Sequence, residues 1–278
     1  MTEQGFESLF DGHTLAGWRA IPRHYGKSYP GGPDLLAGFS GFPPDYQERA
    51  DANPAAWTVE DGAIVGRQQP EGSGYGGYLI SEREFGDFEL RLEANPDWPA
   101  DTGIMVRRGR DEWQGLQVLV DHRQSGSIGG FYGNGIGGFH AVPFALDARR
   151  DADGTPVGLQ ADDPATSVEP FTPAKRALLT RSADVDEFLA VWRWGGWNEF
   201  RIRCVGSKPR TTVWINDLLV AEIDLARLVA PDYDADAVAE ALGGHIAFEV
   251  HDNDPLLGPD RWAPSARCRW RNIRIREL

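Results

Sequence analysis

Sulfur is scarce in this chain, with two cysteines and two methionines in 278 residues. Cys204 and Cys268 lie in strand-like segments with no CxxC spacing and no histidine nearby, which excludes a zinc ribbon or a dithiol redox motif. They read as small buried hydrophobes, with one disulfide as the alternative. Positive charge is short as well: 28 Lys+Arg stand against 42 Asp+Glu, a net charge of −14. Nucleic acid and anionic membrane surfaces both need a basic face, so neither is an expected partner. No apolar run approaches the roughly 18 residues of a membrane span, which predicts a soluble chain. Met1 to Phe6 carries neither the basic nor the apolar part of a secretory leader, and no Asn-x-Ser/Thr sequon occurs. The expected location is the cytoplasm, unless a leader has been removed. Long helical periodicity is nearly missing, which excludes a helical bundle.

What the chain has in excess is turn residues and indoles. There are 33 glycines, 19 prolines and ten tryptophans. Glycine and proline together make roughly a fifth of the chain, well above ordinary usage. That composition suits a turn-rich β-protein of a kind that often presents indole faces to sugars. The length fits one β-sandwich domain over residues 1–278.

Strand signals recur from residue 57 onward. Trp57 to Gly66 reads as two strands about an Asp-Gly turn. Phe85–Glu93, Thr102–Arg108, Gly115–Asp121, Trp197–Val205, Arg210–Asn216, Leu218–Asp224, Gly244–His251 and Arg267–Arg276 follow. One helix is expected, about Asp234 to Leu242, with Gly243 as its stop. Residues 19–56 and 139–190 read as long loop insertions, of the kind that form lids or binding loops.

Alternation sorts the strands into faces. Ile104, Val106, Leu116, Val118, Val120, Ile246, Phe248 and Val250 form an apolar set suited to a core between two sheets. The opposite face carries Arg107, Gln117, Asp121, Glu249 and His251, a sparse and chemically mixed set. Elsewhere the polar face is a charge ladder: Glu89/Arg91/Glu93, Arg201/Arg203 and Arg274/Arg276 read as a solvated outer surface. The mixed set is the better functional candidate. Glu249 and His251, at i and i+2, point the same way and are placed to act as base and acid or to share a metal ion. His140, Asp121 and Asp252 are the available supplements. Trp192, Trp194 and Trp197 form a cluster that reads either as a sugar platform or as core.

Several motifs fail on context. Gly133 to Gly138 matches GxGxxG, but no helix follows it. Asp252-Asn-Asp254 starts like a calcium loop and lacks the glycine and the bidentate glutamate. The run from Ser125 to Gly138 reads instead as a flexible glycine-rich loop near a ligand, with Phe131 and Tyr132 as its aromatic contacts.

Six segments together resemble the 3-keto-disaccharide hydrolase domain family. They are Phe6 to Trp18, Trp57 to Gly62, Gly86 to Glu93, Thr102-Gly-Ile104 with Arg107, the pair Trp197-Asn198 with Trp214-Ile-Asn216, and Arg271 to Leu278. Asp101-Thr102 replaces the usual Asn-Ser, Gln117 replaces a glutamate, and Glu249 stands where glutamine is common, while His251 is kept. The resemblance implies an all-β, concanavalin A-like jelly-roll sandwich of two antiparallel sheets and cleavage of glycosides already oxidised at C3. A C3 ketone acidifies the C2 proton, so a base can form an enolate and the C1 oxygen can leave before water adds. His251 or Glu249 is then the expected base and Arg107 the group that steadies the enolate. Gln117, Asp121, Tyr132, His140 and Trp197 are the expected substrate contacts. A divalent ion on Glu249 and His251 is the alternative electrophile. Two readings compete with this one: a lectin-like module without catalysis, and direct hydrolysis by paired carboxylates.

Overall fold

The computed structural model describes residues 5–23, 44–109, 114–254 and 257–278. Residues 24–43, most of the first expected insertion, lie outside the described residues. In chain order the early strands are β1 (Glu7–Ser8), β2 (Trp18–Pro22), β3 (Ala56–Glu60), β4 (Ala63–Arg67), β5 (Gly77–Ser81) and β6 (Phe88–Pro96). The middle strands are β7 (Ala100–Arg108), β8 (Gly115–His122), β9 (Ile128–Asn134), β10 (His140–Ala141), β11 (Leu146–Arg150) and β12 (Pro156–Ala161). The last are β13 (Arg181–Ser182), β14 (Asn198–Val205), β15 (Arg210–Ile215), β16 (Leu218–Asp224), β17 (His245–Val250) and β18 (Cys268–Glu277). Among the described residues four short α-helices interrupt them: α1 (Tyr46–Ala52), α2 (Pro173–Ala177), α3 (Val185–Val191) and α4 (Ala235–Ala241).

Two antiparallel sheets carry the architecture. One runs β13-β16-β15-β14-β6-β18-β4-β3, with β1 added on β18; the other runs β10-β9-β8-β7-β17-β5-β2. The alternation of β6 shows why they stack. Phe88, Leu90, Leu92 and Ala94 are buried, while Glu89, Arg91 and Glu93 face outward with Arg271 and Arg276 of β18. From the other sheet Ile104, Val106, Leu116, Val118, Val120, Ile246, Phe248 and Val250 enter the same core. Phe248 stacks on both Trp18 and Trp270, at ring separations of 5.2 and 4.9 Å. Burial of such rings removes a large apolar area from water. The all-β sandwich expected from the sequence is the observed fold, and both cysteines are free and buried.

Two expectations are corrected. The stretch 139–190 is not a plain loop: it holds β10, the β11–β12 hairpin, α2, β13 and α3. Its elements are too short for a periodic signal. The glycine-rich run at 125–138 is not a flexible loop either, because Ile128–Asn134 is a buried strand paired with β8. Glycine serves close packing there: a Cβ on Gly133 would meet Phe139 at 2.4 Å.

Candidate active site

The outward face of the second sheet, away from the shared core, is where polar groups gather. Cross-strand pairing sets Glu249 beside Tyr78, Ala247 beside Met105, Met105 beside Gln117, Gln117 beside Tyr132 and Tyr132 beside His140. Glu249 is fully buried, Gln117 4 % and His251 8 % exposed, so the site is sunk into this face rather than spread upon it. Gly103 makes the central contact available. A Cβ there would lie 2.3 Å from Gln117 Nε2, and its absence lets Gln117 reach across and donate to Glu249 Oε2 at 2.6 Å.

Arg23, just past the end of β2, ties the acidic groups together. Its Nε donates to Glu249 Oε1 at 2.6 Å, Nη1 donates to Asp252 Oδ1, and Nη2 donates to His251 Nε2 at 2.8 Å. Because a guanidinium only donates, Nε2 of His251 must accept, and the imidazole proton sits on Nδ1. That Nδ1–H donates to the Asp252 carbonyl at 2.6 Å. Tyr46 of α1 donates to the other oxygen of Asp252 at 2.6 Å. Burial alone would raise Asp252, but Arg23, then the His251 contacts and Tyr46, outweigh it and hold the carboxyl at about 2. Arg23 is held charged: burial opposes its charge, and Asp252, Tyr78 and Glu249 more than compensate.

A second acidic group adjoins this one. Asp101 and Asp121 are direct cross-strand partners on β7 and β8, both buried. Two facing carboxylates repel, so the pair shares a proton. Burial and then the charge of Asp101 push Asp121 well above the usual carboxylate range. Burial would also raise Asp101, but the guanidiniums of Arg123 and Arg261 override it and keep it ionised. Arg123 Nε donates to Asp101 Oδ2 at 2.6 Å, and Arg261 Nη1 donates to the same oxygen. Arg123 also donates to Glu169, while Arg261 pairs with Asp254 at 2.6 Å. His140 meets the Tyr132 ring edge-on at 6.0 Å, and burial lowers the imidazole to about 4.

Of the residues expected from sequence, Gln117, Asp121, Tyr132, His140, Glu249 and His251 share this face. Arg107 and Trp197 do not. Arg107 has φ +53° and sits at a bulge opposite β17, where the pairing shifts between His245 and Ala247. The extra residue reverses parity beyond it. Arg107 therefore donates to Asp87 at 2.8 Å, while Arg108 takes the site face and stacks 3.8 Å over the Tyr78 ring. Trp197 packs against Arg271 of the first sheet, ring to guanidinium 4.0 Å. Arg23, Asp101, Arg108, Arg123 and Arg261 were missed. Asp101 was readable, since it shares parity with Gly103 and Met105; a lone Arg after Ile21-Pro22 offered no signal.

A metal ion on Glu249 and His251 does not fit the side chains as arranged, because Arg23 already holds both. Among the described residues no group of three or more His, Cys, Asp or Glu forms a metal-ligating set.

Comparisons with known proteins follow the same direction as the fold. Residues 5–276 match a family model described as a 3-keto-alpha-glucoside-1,2-lyase-like domain. Similar solved structures include a putative glycosyl hydrolase from Parabacteroides distasonis, 13 % identical, covering 99 % of this chain and 94 % of that one at a TM-score of 0.48. A glycosyl hydrolase family protein from Mycobacterium fortuitum is 11 % identical, covering 99 % and 100 % at 0.44. The carbohydrate-binding module CBM66 from Bacillus subtilis is 12 % identical, covering 80 % and 92 % at 0.41. No curated protein matches the sequence.

Proposed function

Because this chain belongs to the 3-keto-alpha-glucoside-1,2-lyase-like domain family, we propose that it cleaves glycosides oxidised to a ketone at C3, by elimination followed by hydration. The observation that carries the reading is His251, buried beside an arginine with its Nε2 lone pair turned into the cluster. In this scheme Nε2 removes the C2 proton. The C2–H electrons form an enolate across C2 and C3, and the C1–O pair then leaves with the aglycone. Asp121, kept protonated by burial and by Asp101, gives its proton to the departing oxygen. Water adds at C1 of the enone and gives up its proton to the Asp121 carboxylate, which restores the acid. C2 is reprotonated from His251 after that imidazole N–H has exchanged with solvent.

Arg23 takes the part expected of Arg107. The substrate's C3 oxygen competes for the Nη2 hydrogen bond, which frees Nε2 and stabilises the developing oxyanion in a water-poor site. Glu249 is less suited as the base, since both of its oxygens accept strong hydrogen bonds and it is fully buried. It fixes Arg23 and Gln117 instead. Direct hydrolysis needs two carboxyl groups about 5–9 Å apart across the bond. Asp101 and Asp121 face each other directly across adjacent strands and leave no such gap.

The test compares a 3-keto-glucoside with its unoxidised parent, following release of the aglycone. Turnover of the oxidised glycoside alone, lost in His251→Ala, supports the proposal. Equal turnover of both would reject it.

A further inference from the structure

A cleft of 360 Å³ lies on the other side of the active-site sheet, lined among others by Trp98, His122, Trp194, Asp97 and Ser265. Alternation along β8 separates the two places: Asp121 points into the candidate active site, and His122, the next residue, points the opposite way. We propose that this cleft binds a neutral sugar ring, as a second saccharide site apart from the Glu249/His251 cluster.

Three observations carry it. Trp98 and Trp194, both half-buried, present indoles 5.7 Å apart at a 41° tilt. Angled indoles receive the C–H faces of a pyranose, and the volume lies within the range of small-molecule sites. His122 sits between them, 5.1 Å from the Trp98 ring and 4.9 Å from Trp194. It is 1 % exposed, and its Nδ1 donates to the Asp97 carbonyl at 2.8 Å. That contact makes Nε2 an acceptor, and Nε2 has no partner. A buried acceptor without a donor costs free energy, and a sugar hydroxyl is the donor that would fill it. The charge balance selects a neutral ligand. Asp97, the one charged lining group, is bound by Arg269 at 2.7 Å and by the Arg267 amide at 3.0 Å. No cation is left over for an anionic sugar, and no free carboxylate for a basic one.

The experiment titrates methyl α-glucoside and methyl β-glucoside into the whole protein by calorimetry and by following indole N–H signals in NMR. Saturable binding of at least one is expected, weakened about tenfold or more by Trp194→Ala or Trp98→Ala, since stacking supplies much of a sugar's affinity. Trp194→Phe should retain most of it. Ser265→Trp, an exposed rim position, should block the cleft without touching the core. His251→Ala should leave binding unchanged, and Trp194→Ala should leave turnover of a 3-keto-glucoside unchanged, so this site and the proposed activity can fail separately. Failure of wild type to bind either sugar would overturn the proposal. So would binding indifferent to both Trp194→Ala and Ser265→Trp, or binding lost in His251→Ala instead.

Discussion

Arg23 is the residue on which the candidate site balances. Its guanidinium is the shared partner of Glu249, Asp252 and His251, and both carboxylates are fully buried. Arg23→Gln should therefore destabilise the protein by about 3–5 kcal/mol, because it leaves buried charge uncompensated. Urea unfolding of the variant measures this directly, and loss below about 1 kcal/mol would show that Arg23 is not the buried hub described here. A second expectation concerns acid. Burial lowers His122 to about 4 from an ordinary 6.5. As pH falls from 6.5 toward 4 the unfolded chain takes up the proton first, so stability is lost across that window, by up to about 3 kcal/mol. His122→Asn should lose less stability than wild type between pH 7 and 4.5 in the same denaturation series. Below that, Asp252 acts in the same direction, because its carboxyl is held at about 2 and must be protonated in the unfolded chain first. Much at this scale was readable from parity alone: Gln117, Glu249 and His251 meet as alternation requires. Arg23 was not, because its role depends on β2 lying at the far edge of the sheet, a fact of topology and not of local pattern.

Among the elements, β7 shows how one residue changes which side chains reach the site. Simple alternation assigns Arg107 to the face of Met105, but the bulge gives that face to Arg108. Arg107→Gly should keep kcat/KM within about threefold, losing only a surface-edge ion pair worth up to ~1 kcal/mol. Arg108→Gln should lower kcat at least about tenfold, since it withdraws the cation that packs on Tyr78 beside Glu249. The reverse ranking would restore the unbulged reading. Gly103 supplies a further check on the same strand. Gly103→Ala places a methyl where Gln117 crosses to Glu249 and should cut kcat while far-UV circular dichroism is unchanged. No sequence signal marked the bulge, because arginine does not favour the left-handed region and nothing local required it. The strands marked by strict alternation were found nearly at their true limits, while β2, β5 and β9 carried no such pattern and were not. The helix expected at Asp234 to Leu242 is α4, Ala235–Ala241, marked by its capping aspartate and its glycine stop. By contrast, α1, α2, α3 and the β11–β12 hairpin were missed because two turns or five residues generate too little periodicity.

At the scale of the molecule, the two sheets of this carbohydrate-active fold divide the labour. The first presents charge ladders outward, and the second sinks a connected set of carboxyls, arginines and the His251 imidazole into its outer face. The all-β class was plain from turn residues and alternation, and the family was plain from segments spread along the whole chain. What the sequence withheld was the pairing order that brings β2, β5, β17, β7 and β8 side by side. No helix among the described residues is long and apolar enough to cross a membrane. The central claim is that C2 of a C3-oxidised glycoside is deprotonated at His251. It is tested most directly by running the reaction in deuterium oxide and reading C2 of the released sugar by NMR and mass spectrometry. The account predicts one deuterium at C2 in every product molecule, and neither label nor cleavage with His251→Ala. Cleavage that leaves the original C2 proton in place would contradict it.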